Sequence, residues 1–217
     1  MEIVYFWNTP SSLSTHHFNE IKSFIQSSLA TFKIDPKNVR MSLVQYPTSP
    51  SSDQPSTLKY YDDIKEIERL VKDIKMNQQQ PEEDGSKAVM GLNEVFQKTL
   101  RDLNVNAGSG NDGKKSTPKV FVFFIREIEA QKALDLQQFE DNISELKRRN
   151  VRPLIVYFGR KNLDKLQGIV GNPSQVIQIG DWDGMLNGIG SLEQQIGKPK
   201  GKVFFTKHYL IKSISLF

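Results

Sequence analysis

Ser11, Ser12, His16 and His17 place hydroxyls and imidazoles close together, the residue types of a nucleophile and its general base. Nothing around them forms the Gly-x-Ser-x-Gly turn that exposes a serine nucleophile, and no acid is placed to orient an imidazole. Adjacent residues on a helix point about 100° apart, so His16 and His17 do not readily share one metal and read as surface histidines near a helix start, one of which could approach the loop before it. Residues 108–114, Gly-Ser-Gly-Asn-Asp-Gly-Lys, nearly match a phosphate-binding loop, but Lys115 stands where Ser or Thr is needed. That segment also follows a helix and enters a strand, the reverse of a phosphate loop, and reads as a plain loop. The acid pairs Asp62-Asp63, Glu82-Glu83 and Glu127/Glu129 suit helix caps or solvent. No cysteine is present, which removes disulfides, thiolate metal sites and thiol nucleophiles. Asn142-Ile143-Ser144 is a glycosylation sequon, set inside an expected helix. The expectation is a protein that is not an enzyme and has no catalytic residues.

Charge narrows the partners. The net charge of +4 comes from the end of the chain, where residues 198–217 hold five lysines and no acid. Residues 1–197 then carry 24 basic against 25 acidic groups, too even a balance for a nucleic-acid surface. No run approaches the ~18 apolar residues of a membrane span. Met1 leads straight into the apolar residues 3–7, so no signal peptide is expected. That leaves a cytoplasmic protein or a piece of a longer, secreted one.

The elements that would position these groups alternate along the chain. Strands are expected at residues 2–7, 39–46, 57–61, 119–125, 151–158 and 175–179. Helices are expected at residues 13–32, 62–74, 85–103, 136–150, 163–170 and 182–196. The helices carry apolar stripes at 3.6-residue spacing, such as Phe18, Ile21, Phe24, Ile25 and Leu29. The strands are short and almost continuously apolar, as in a parallel sheet covered on both faces. The reading is an α/β domain over residues 1–197, doubly wound and mostly parallel, with a basic and apolar tail at 198–217. Such a sheet binds at the carboxyl ends of its strands, where the strand order switches. The loops that matter therefore follow Trp7, precede the Ser86 helix and follow Ile125.

Several stretches in order resemble the von Willebrand factor type A domain family, a Rossmann-type three-layer sandwich. Ile3-Val4-Tyr5-Phe6-Trp7 and then Asn8-Thr9-Pro10-Ser11-Ser12 are similar to its first strand and Asp-x-Ser-x-Ser loop. Residues 35–46, ending Gln45-Tyr46, resemble its second strand. Gly85-Ser86-Lys87-Ala88 sits where the family has a Gly-Thr-containing helix start. Residues 119–125 resemble the strand that ends in an Asp-Gly pair, and residues 151–159 the strand after it.

The resemblance implies a Mg²⁺ site of oxygen ligands at the top of the sheet, with an open position for a partner's carboxylate. The residues here depart from it. Asn8 replaces the first aspartate, Pro10 has no side-chain ligand, and Ser12 survives. The threonine position falls on Ser86 or Ala88, and the last aspartate falls on Arg126. Asn8, Ser12 and Ser86 remain as residual metal candidates, and Glu127 could turn inward to join them. Neutral oxygens beside a guanidinium hold a divalent ion poorly, so the expectation is no cofactor. Arg126 would either fill the vacated space, paired with Glu127 or Glu129, or contact a partner's acidic group itself. The implied function is protein binding of adhesion, extracellular-matrix or scaffold type, in a domain of a larger and extracellular chain. Asn8, Thr9, Ser11, Ser12, Lys87, Arg126 and Glu127 are its expected contact residues. The alternatives are a Mg²⁺-dependent adhesion domain using Ser12, Ser86 and Glu127, a purely structural module, and, less favoured, an enzyme or nucleotide binder.

Overall fold

The computed structural model describes residues 1–8, 14–46, 58–74, 92–107, 117–126, 136–180 and 182–197. In chain order these form β1 (Glu2–Asn8), α1 (Thr15–Leu29), β2 (Arg40–Tyr46), α2 (Ile64–Asp73), α3 (Leu92–Ala107) and β3 (Lys119–Arg126). There follow α4 (Leu136–Arg148), β4 (Val151–Phe158), α5 (Leu163–Val170), β5 (Val176–Ile179) and α6 (Trp182–Ile196). The five strands make one sheet in the order β2-β1-β3-β4-β5, with every pair parallel.

Alternation along each strand divides the core in two. Ile3, Tyr5 and Trp7 of β1 join Val120, Val122 and Phe124 of β3 against α1, α2 and α6. Val4 and Phe6 join Phe121, Phe123 and Ile125 against α3, α4 and α5. Both faces are covered, which is why the strands show almost no polar alternation. Aromatic rings fill the centre on each side: Phe6 stacks on Phe123 at 4.8 Å, and Tyr5 meets Phe124 edge-on at 5.1 Å. The three-layer α/β architecture and its parallel sheet are as expected.

Local differences have local causes. The helix expected to Phe32 ends at Leu29. Ser28 Oγ donates to the Ile25 carbonyl and Thr31 Oγ1 to the Ser28 carbonyl, so short side chains compete for the backbone there. The strand expected at 57–61 reduces, among the described residues, to one antiparallel bridge between Met41 and Tyr61. Asp63 then caps α2, accepting from the Lys65 amide at 2.8 Å, which turns the chain into a helix before a ladder can extend. Conversely, α3 runs on to Ala107, and β1 and β3 each include one residue more than their apolar runs, Asn8 and Arg126.

The base of the sheet is pinned by a buried acid. Glu2 is 5% exposed, and its carboxylate pairs with Arg40 of β2 and, at 2.9 Å, with Lys119 of β3. Three adjacent strands are therefore tied at one register level by a single carboxylate. The Arg40 guanidinium also lies 5.5 Å over the Tyr60 ring. Replacing one member of such a group leaves the others desolvated without a counter-charge. Glu2→Gln is expected to lower the unfolding free energy by about 1–3 kcal/mol, read from urea denaturation. Glu145→Gln, at a carboxylate paired on the surface with Arg148 and Arg149, should change it little.

Candidate functional site

β1 and β3 lie side by side, but the chain leaves them in opposite directions. From β1 it passes through α1, on one face, to β2; from β3 it passes through α4, on the other face, to β4. A crevice must therefore open between the carboxyl ends of β1 and β3. Asn8 ends β1, where its backbone pairs with Tyr46, and Arg126 ends β3, where it pairs with Phe158.

Three features shape that end of the sheet. Tyr46, 4% exposed, reaches from β2 to donate its hydroxyl to the Phe124 carbonyl of β3 at 3.1 Å, so it braces the two strands flanking β1. Burial pushes its phenol pKa up, which keeps it a neutral donor. Trp7 is fully buried and stacks on Phe18 of α1 at 5.1 Å. Its indole Nε1 is buried with no hydrogen-bond partner among the described residues, an unusual state for an obligate donor. Arg126 follows Phe124 on the α1 face of the sheet, and its NH2 comes within 3.4 Å of His17 Nε2 on α1.

The tautomer follows from the partners. A guanidinium only donates, so His17 Nε2 presents its lone pair to Arg126 and the ring proton sits on Nδ1. Nδ1 then donates to Ser14 Oγ at 2.7 Å, and Ser14 Oγ also accepts from the His17 amide at 3.2 Å as the cap of α1. Desolvation first, and then the Arg126 charge, lower the His17 pKa below its ordinary value. Arg126 has no ion pair among the described residues. The first turn of α1 contains no acid either, so the positive end of the helix is uncompensated there. Glu20 is engaged by His16 at 3.3 Å. Among the described residues, Arg126 and the first turn of α1 thus put positive charge at this end of the sheet.

Of the expected contact residues, Arg126 takes its place at the switch point, although as the last residue of the strand and not in the loop beyond it. Asn8 is placed by its backbone. Thr9, Ser11, Ser12, Ser86, Lys87 and Glu127 lie outside the described residues, as does Glu129, the other acid expected to pair with Arg126. His17, which reads in sequence as a surface histidine, is the residue that sequence reasoning underrates. Its signal was position: three residues after a capping serine, on the first helix after β1. Asn142 of the sequon is 2% exposed, donates to Asn93 Oδ1 at 2.8 Å and accepts from Gln97 Nε2 at 2.6 Å, so its amide is not open to glycan transfer in the folded protein. Removing the guanidinium in Arg126→Ala should raise the His17 pKa towards 6.5. An NMR titration of the His17 ring nitrogens would read this.

A model of the von Willebrand factor type A domain matches residues 8–192. No curated protein sequence matches the chain. Among solved structures, proximal thread matrix protein 1 from the mussel byssus superposes with a TM-score of 0.62 at 12% identity, over 87% of this chain and 45% of that one. The same mussel protein with a zinc-occupied MIDAS motif gives 0.60 at 12% identity, over 87% and 46%. Manganese-loaded Plasmodium vivax TRAP protein gives 0.59 at 12% identity, over 91% of this chain and 73% of that one. The chain spans a little under half the length of the mussel protein it resembles.

Proposed function

The chain belongs to the von Willebrand factor type A domain family, and from that premise we propose that it binds another protein through the carboxyl-end crevice of its sheet without using a metal ion. Domains of this family generally mediate protein–protein adhesion. One observation carries the metal-free reading: Arg126 stands at the end of β3 with no carboxylate paired to it among the described residues and with the imidazole of His17 beside it. A divalent cation in the same crevice would face a fixed positive charge instead of an anionic ligand. The described side chains there do not fit a hard cation. The residual oxygen candidates Ser12, Ser86 and Glu127, with the amide of Asn8, would have to overcome that repulsion unaided.

We further assign the module to an extracellular or cell-surface setting, in a longer chain, with no catalytic step. Support comes from the names of two similar structures, a byssal matrix protein and a parasite protein solved with manganese, and from the family's general role. No helix among the described residues is long and apolar enough to cross a membrane. The described body of the domain ends with α6, which closes at Gly197 with φ +87°; residues 198–217, basic and apolar in sequence, lie outside the described residues. Its partners are proteins of the matrix or cell surface, not nucleic acid.

The metal reading is tested by thermal unfolding in Mg²⁺ and in Mn²⁺. A site filled at a hundred times its Kd adds about 2.7 kcal/mol, which for a domain of this size raises Tm by about 5–10 °C. The expected shift is under about 1 °C on that scale, with and without EDTA. A shift of several degrees that EDTA reverses would restore the metal-dependent adhesion reading.

A further inference from the structure

Arg126 and His17 stand in an arrangement that is incomplete by itself. A guanidinium fixed at the end of a strand carries a full charge, yet its one hydrogen bond among the described residues goes to an imidazole lone pair at 3.4 Å, a long contact to a neutral acceptor. Paired arginines normally meet a carboxylate or phosphate through two parallel N–H donors. Here the planar fork is left to a poor substitute, whereas Arg40 and Lys119 share Glu2, and Lys22 donates to two carbonyls at the end of α2. The buried indole N–H of Trp7, without a partner among the described residues, belongs to the same end and the same face of the sheet. The cap of α1 adds the positive end of a helix with no acid in its first turn.

We propose that Arg126 and His17 together form the seat for a carboxylate of an acidic segment on the protein partner, with the imidazole turning from acceptor to donor as that carboxylate arrives. This deepens the metal-free binding reading and rests on it. An incoming oxygen between the guanidinium and the imidazole meets donors from Arg126 but a lone pair from Nε2, which repels it. Protonation of Nε2 removes the repulsion and supplies a second charge-assisted hydrogen bond. Nδ1 keeps its bond to Ser14 Oγ throughout, so the ring need not turn.

The consequence is proton uptake on binding. In the free protein, desolvation and Arg126 hold the His17 pKa below its ordinary value, with Glu20 opposing and His16 assisting. From the helices packed on α1, Asp73 of α2 acts on Lys22, and Glu193 lies near the far end of α6. A bound carboxylate raises the His17 pKa, so affinity grows as pH falls from the raised, bound value to the lower, free one. The limit is about tenfold per pH unit for one proton.

The test is calorimetric titration of the full chain with hexa-aspartate between pH 7.5 and 5.5, a range in which aspartate stays ionised. The expected result is binding that tightens several-fold across that range. Arg126→Gln should lose most of it at every pH. His17→Gln should retain binding at pH 7.5 and show a flat pH profile. A heparin hexasaccharide, whose sulfates keep their charge, serves as the competing source of anions; if it alone binds in an Arg126-dependent manner, the partner is a sulfated glycan and the proposal is overturned. Hexa-aspartate binding that ignores both substitutions, in variants still folded by circular dichroism, or no binding by the unsubstituted protein anywhere in the range, also overturns it. Neither result would touch the metal-free reading, which fails separately if Mn²⁺ stabilises the protein.

Discussion

The rule that parallel crossovers are right-handed decides where this protein can act. The α1 crossover from β1 and the α4 crossover from β3 run in opposite directions along the sheet, so right-handedness sends the two helices to opposite faces. No helix can then close the gap above the carboxyl ends of the two central strands. Everything distinctive about the site follows from what the chain places in that gap. Tyr46 spans it to hold β3, Trp7 is buried beside it, α1 presents its capped first turn, and Arg126 closes β3 there.

The two ends of the sheet treat charge in opposite ways. At the base, the Glu2 carboxylate is shared by Arg40 and Lys119 and gives both cations a counter-charge within the fold. At the top, Arg126 has only an imidazole for company among the described residues, and the pKa of that imidazole is lowered by desolvation and by Arg126 itself. The first arrangement serves stability, because removing a member strands a buried charge. The second leaves donors of Arg126 without a charged partner among the described residues. A cation placed at the focus of a crevice lengthens the reach of its field, so it also steers acidic partners in.

Much of this was legible before any coordinates. The continuous apolar runs at residues 3–7 and 119–125 carry the parallel sheet, since only a strand covered on both faces can be apolar at every position. The 3.6-residue stripe from Phe18 to Leu29 carries α1, and the position of Arg126 just past an apolar run carries the altered site. Boundaries were less legible. Ser28 and Thr31 end α1 through local hydrogen bonds whose strength depends on the turn they sit in, and the edge segment before α2 depends on a single bridge to Met41. The His17–Arg126 contact could not be read from sequence, because 109 residues separate its partners and only the packing of α1 against β3 brings them together. The sequon at Asn142 is the reverse case: a local pattern that burial cancels.

The central claim is that a protein side chain, and not a metal ion, supplies the positive charge at the switch point. The most direct measurement is a crystal structure grown in Mn²⁺, with an anomalous difference map at the carboxyl ends of β1 and β3. The account predicts no anomalous peak within coordination distance of Asn8, Ser12 or Ser86, and the Arg126 guanidinium lying over the crevice beside His17. A manganese peak held by those oxygens, with Arg126 swung away to solvent, would contradict it.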